Sequence, residues 1–141
     1  MIRPTLSASS LKPGDKLPAM DQPMTTADLV AYGGATWDWN RLHFDLEYAR
    51  SLNLPNVVVD GQAFGAVMAK HALAWLGPRA FMTRLSFKMR AMAFAGETLR
   101  AEGEVADVRH AADHAVVVLA QRLKVGDRVC AEATAEVRLP D

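Results

Sequence analysis

Asp38, Asn40 and His43 place a carboxylate, an amide and an imidazole inside one short stretch, Ala35-Thr36-Trp37-Asp38-Trp39-Asn40-Arg41-Leu42-His43-Phe44-Asp45. An imidazole exchanges a proton near neutral pH, a carboxylate beside it accepts or returns one, and an amide holds a water or a side chain between them. That set suits adding water to a small reactant or removing it. The same residue types also build loops and helix caps, so the neighbouring elements decide between the two roles.

Those elements can be read from the sequence. Thr25 caps a helix through Asp28, with Ala27, Leu29, Val30, Ala31 and Tyr32 in its body and Gly33-Gly34 expected to end it. This helix delivers the chain to the Asp38 loop. Asp45 is expected to cap a short helix, Leu46 to Leu52, that Asn53-Leu54-Pro55 stops. Its carboxylate would be engaged with backbone N–H groups, so Asp45 positions His43 and does not react.

Gln62 to Leu76 forms the long central helix. Ala63, Phe64, Ala66, Val67, Met68, Ala69, Ala72, Leu73, Ala74 and Trp75 make it apolar on nearly every side, as in a helix buried by its neighbours, and Gly77-Pro78 ends it. Its aromatic and methionine side chains read as core, and His71 as a satisfied or rim histidine. Asp60 is a good N-cap and makes Gly61 the first helical residue, with an N–H that has no intrahelical partner. The helix dipole adds partial positive charge there, and the missing side chain admits a close acceptor. As an oxyanion donor such an amide is typically worth ~10²–10³ in rate; the alternative is that Gly61 only permits a tight turn.

After Pro78 the period changes to two. Leu85, Phe87 and Met89 alternate with Arg84, Ser86, Lys88 and Arg90, and the same pattern recurs over Leu99 to Val105 and Val129 to Val137. Ala115 to Leu123 is more continuously apolar and is expected to be a strand covered on both faces. Asp107 to Asp113 and Gly126-Asp127 read as loops, and Met1 to Pro13 as an extended lead-in before a turn at Pro13-Gly14-Asp15. One buried helix followed by at least four antiparallel strands is a single α+β domain in which the sheet wraps the helix. Pattern alone admits other arrangements.

Composition narrows the partners. A length of 141 residues fits one domain with a substantial core. Sixteen basic residues balance sixteen acidic ones, and no basic tail appears, which argues against nucleic acid. The one cysteine, Cys130, excludes an intramolecular disulfide and a Cys-rich metal site, and reads as a packing residue. The start, Met1-Ile2-Arg3-Pro4-Thr5-Leu6-Ser7, lacks the apolar run of a signal peptide, and no window approaches the ~20 apolar residues of a membrane span. A cytoplasmic protein off the membrane is expected. His110 and His114 fall in a loop or strand edge, not on a helix that would turn both to one face, so no metal and no cofactor is expected.

The order of residues around the trio resembles the MaoC-like dehydratases, the family of the (R)-specific enoyl-CoA hydratases, whose motif reads roughly Tyr-Ala-x-x-Ser-Gly-Asp-x-Asn-Pro-x-His-x-Asp, followed by a short His-Gly motif. Tyr32, Asp38, Asn40, His43 and Asp45 fall in register, and Gly61 matches the second glycine. Trp37 stands where the family has a small residue, Arg41 replaces the proline, and Asp60 replaces the histidine before Gly61. The resemblance covers most of the chain and implies a hot-dog fold, with the central helix as the sausage, and a dimer joined sheet edge to sheet edge.

It further implies reversible hydration of a 2-enoyl thioester, of coenzyme A or of acyl carrier protein, to an (R)-3-hydroxyacyl product. Asp38 and His43 would hold the water, Asn40 would orient it, and Gly61 would bind the carbonyl oxygen. Trp37, Asp60 and Gln62 would contact the substrate. Two alternatives stay open: a hot-dog acyl-CoA thioesterase, and a non-catalytic acyl-binding subunit that pairs with another MaoC-like chain, which the Asp60 replacement keeps in view.

Overall fold

The computed structural model describes residues 6–140. Five antiparallel strands form one sheet in the order β1-β3-β4-β5-β2: β1 (Lys16–Pro23), β2 (Phe81–Met89), β3 (Thr98–His110), β4 (His114–Val125) and β5 (Arg128–Pro140). Three helices, α1 (Thr26–Thr36), α2 (Leu46–Ser51) and α3 (Gly61–Leu76), lie between β1 and β2 in the chain. The sheet curls around α3, which touches all five strands.

The core follows from that wrapping. Phe64, Met68, Ala72 and Leu76 of α3 are buried against Leu99, Leu119, Leu123, Ala135 and Val137 of the sheet. Each large side chain so removed from water contributes about 1.5–3 kcal/mol. Cys130 is fully buried, and burial pushes its thiol up from the ordinary value, so it packs and stays protonated, as its strand setting predicts.

Three expectations need correction, and one strand was not foreseen. Strand β1 carries no alternating signal, since Leu17 alone among its residues is buried; it is an edge strand, bulged between Leu17 and Met20 and containing Pro18. Helix α1 runs through Gly33-Gly34 and ends at Trp37, in the left-handed region at φ 60°. Gly33 is there for close approach: a Cβ on it would sit 2.8 Å from the Asp38 carbonyl oxygen. Asp107 to His110 continue β3, paired with Ala115 to Val118, so only residues 111–113 connect β3 to β4. In β4 the buried set is Ala115, Val117, Leu119, Gln121 and Leu123, while Val116, Val118 and Ala120 remain partly accessible, so one face is covered, not two.

Met1–Thr5 of the expected lead-in lie outside the described residues, as does Asp141. The rest of it holds a single 3-10 turn, Ala8–Ser10, pinned by Ala8 in the core and by the Leu6 N–H donating to the Leu76 carbonyl at 2.9 Å. Among the described residues no helix is long and apolar enough to cross a membrane.

Candidate active site

The loop after α1 is built by short-range capping. The Asp38 Oδ1 accepts from the Asn40 N–H at 3.1 Å, and the Asn40 Oδ1 accepts from the Leu42 N–H at 3.1 Å. Asn40 thereby caps the 3-10 turn Arg41–His43. Asp45 then caps α2 by accepting from the Tyr48 N–H, and the Arg41 guanidinium grips its other oxygen at 2.8 and 3.0 Å while stacking over the Tyr48 ring. These hydrogen bonds hold the Asp45 carboxyl below its ordinary range, the Tyr48 amide first and Arg41 next. Asp45 is the structural cap its sequence position suggests, and Arg41 fastens it.

The turn is tied to the segment that starts α3. The Val58 N–H donates to the Leu42 carbonyl at 2.8 Å, and the His43 Nδ1 lies 2.8 Å from the Val58 carbonyl oxygen. A carbonyl only accepts, so Nδ1 carries the hydrogen and the neutral ring keeps its lone pair on Nε2. Val57, Val58 and Val59 are buried, and Val59 and Val57 bond to Ala93 and Ala95 on the far side. His43 is therefore oriented from a clamped backbone.

Asp60 meets it there. One carboxylate oxygen accepts from the Gln62 N–H at 2.8 Å and caps α3; the other, Oδ2, is buried and has no partner among the described residues. A carboxylate oxygen from Asp38, one from Asp60 and a ring nitrogen of His43 all lie within 4.8 Å of one another. This is also the one set of three among the described residues spaced to hold a metal ion. Gly61, next in the chain, opens α3 with its N–H beyond the reach of any intrahelical acceptor.

Two residues of the site were not legible as functional. Tyr32, on α1, has its phenol pushed up by burial and then by the negative charges of Asp60 and Asp38; its only sequence signal is its register in the motif. Met89, from the end of β2, places its Sδ in the space a Cβ at Gly61 would need. A side chain at position 61 would displace the end of this exposed methionine, and nothing in the sequence links residues 61 and 89.

The remaining expected residues sit at the rim. Trp37 is 80 % exposed and packs edge-on against Trp39 with ring centroids 5.8 Å apart; Trp39 does the same with Phe44 at 6.3 Å. The Gln62 side chain is exposed on the first turn of α3. Two open clefts of about 660 and 670 Å³ lie elsewhere, one beside Lys16, Glu104 and Arg122, the other beside Pro18, His71 and Trp75. Neither is lined by the clustered residues.

The model of the MaoC-like domain matches residues 9–126. The chain belongs to this family. Three solved structures share its architecture. The (R)-hydratase from A. caviae involved in PHA biosynthesis is 22% identical with a TM-score of 0.84, over 93% of this chain and 98% of that one. A chain of the ChsH1-ChsH2 complex from Mycobacterium tuberculosis is 19% identical with a TM-score of 0.83, over 91% and 98%. The MaoC-like dehydratase from Rhodospirillum rubrum is 19% identical with a TM-score of 0.79, over 94% of each. At this identity the likeness is one of fold, the hot-dog fold. No curated protein sequence matches the chain.

Proposed function

We propose that this MaoC-like protein hydrates 2-enoyl thioesters, and dehydrates the products, at Asp38 and His43. The observation that carries the reading is the meeting of the Asp38 carboxylate and the His43 ring within 4.8 Å beside the N-terminus of α3, with the His43 tautomer set by Val58. The substrate carbonyl oxygen lies on the Gly61 N–H, where the helix dipole favours the charge of a developing enolate. Water bound between Asp38 and His43 adds its oxygen to the β-carbon. The pair takes a proton from that water and passes a proton on to the α-carbon, so it ends with the protons it began with. Both act from one side, and addition is syn.

Asn40 acts through the loop: its carbonyl oxygen is committed to the Leu42 N–H, leaving its NH₂ for the water. The exposed row of Trp37, Trp39 and Phe44 supplies apolar and aromatic surface for the acyl chain or its carrier. The product is the (R)-3-hydroxyacyl thioester, by likeness to the A. caviae (R)-hydratase. The working form is an assembly with a second copy or with another MaoC-like chain, a reading supported by the ChsH1-ChsH2 complex.

Purified protein mixed with saturated and 2-unsaturated acyl-CoAs of graded length tests this. Loss of enoyl absorbance without release of free thiol is the expected result. Thiol release from both substrates would establish a thioesterase instead, and inactivity of a folded single species that another MaoC-like chain restores would establish a non-catalytic subunit.

A further inference from the structure

We propose that Asp38, His43 and Asp60 also bind a first-row divalent cation, which takes up the groups the hydration needs and so blocks it. The proposal deepens the reading of the same site. One imidazole and two carboxylates form a borderline donor set of the kind that takes Zn²⁺, Mn²⁺ or Co²⁺, and one atom of each lies within 4.8 Å of the other two. His43 is already posed as a ligand, because metal-bound imidazoles donate their second N–H to a carbonyl or carboxylate and the Val58 carbonyl fills that role.

Asp60 supplies the independent observation. It is 8 % exposed, its Oδ1 is committed to the Gln62 N–H, and its Oδ2 is buried with no hydrogen-bond partner among the described residues. A buried carboxylate oxygen without a donor is costly, and a cation at this point satisfies it. Asp38 and His43 are only partly buried, so coordination positions remain open to water. Asp60 is one of the three departures from the family motif, and it is the residue that turns a catalytic pair into three ligands.

Chelator-stripped protein titrated with Zn²⁺ at neutral pH and followed by calorimetry is the test. One Zn²⁺ per chain is expected, with affinity falling more than ~10-fold in Asp60→Asn and again in His43→Gln, since even an outer-shell partner of a metal is worth ~10–100-fold. Asp60→Asn keeps its helix cap, and circular dichroism checks that it is folded. The surface pair His114 and Asp113, whose Nδ1 and Oδ1 are 2.6 Å apart, is the control: His114→Gln leaves binding unchanged. Absence of binding, binding that survives undiminished in Asp60→Asn, or binding that disappears in His114→Gln overturns the site. Because heat and not turnover is read, Zn²⁺ binding by protein whose chelator-stripped form does not hydrate enoyl-CoA counts against the hydratase alone, and hydration by stripped protein that binds no Zn²⁺ counts against the cation site alone.

Discussion

Two histidines stand at opposite ends of α3 and meet opposite fates. His71 is 2 % exposed and both of its nitrogens are used: Nε2–H donates to the Pro18 carbonyl at 2.9 Å, and Nδ1 accepts from the Gln121 amide at 3.0 Å, whose other hydrogen goes to the Met68 carbonyl. His43 is half-buried and donates from Nδ1 to Val58, and one of its ring nitrogens lies within 4.8 Å of a carboxylate oxygen of Asp38 and of one of Asp60. The difference is one of unspent valence. A ring with both nitrogens satisfied holds elements together, whereas a ring anchored at one nitrogen is aimed, and its second nitrogen is available for a proton.

The comparison breaks most visibly at the His43 end. Asp38→Asn and His43→Gln should each lower the rate of enoyl-CoA hydration by ~10²–10⁴-fold, the usual worth of a positioned acid or base, with the thermal midpoint little changed. The double variant should be hardly slower than either single, because groups that share one water act as a unit. Multiplicative losses in steady-state kinetics would mean that the two work on separate steps.

At the other end the loss should appear in stability and not in turnover. His71→Leu leaves the Pro18 carbonyl and one Gln121 amide hydrogen without their partner and should cost roughly 1–3 kcal/mol in denaturant unfolding. Its pH signature is specific. Burial pushes the His71 imidazole below its ordinary value, against the opposing pull of the Pro18 hydrogen bond. The unfolded chain therefore binds the extra proton first, so this contribution is complete above about pH 6.5 and is lost as pH falls toward the lowered folded value. The slope of stability against pH below neutrality should flatten in His71→Leu. An unchanged slope would show that another group carries the acid sensitivity.

The same contrast separates what was legible in the sequence from what was not. Local signals read well: the capping box of Thr25 and Asp28, the Asp45 and Asp60 caps, and the all-round apolar pattern of α3 stand in the structure with ends close to those expected. Signals that depend on distant partners did not. Strand β1 exists because β3 offers it an edge, not because its own residues alternate. Helix α1 passes its two glycines because Asp38 folds back on Gly33. His71 could be named a satisfied histidine, but Pro18 and Gln121 as its partners lie 53 and 50 residues away. In the site, spacing alone put Asp38, Asn40 and His43 on one loop; the arrival of Tyr32 and Met89 needed the fold.

The finest test concerns Asp60, which shares features of both histidines' settings: it is buried and half-committed like His71, and it faces the reactive pair like His43. Asp60→Asn keeps a side-chain oxygen for the Gln62 N–H, and Asn and Asp cap about equally well, so stability should hold, whereas Asp60→Ala should cost ~0.5–2 kcal/mol. Turnover separates the roles of its charge. A carboxylate this close to the Gly61 amide opposes the negative charge that develops on the substrate oxygen, and even in a water-like dielectric a unit charge at about 4 Å is worth ~1 kcal/mol. Removing it should raise the hydration rate about five-fold. A fall in rate in stably folded Asp60→Asn protein would have the opposite meaning: the buried Oδ2 would itself be a stop on the path of the proton, and Asp60 would belong with His43 among the groups that react.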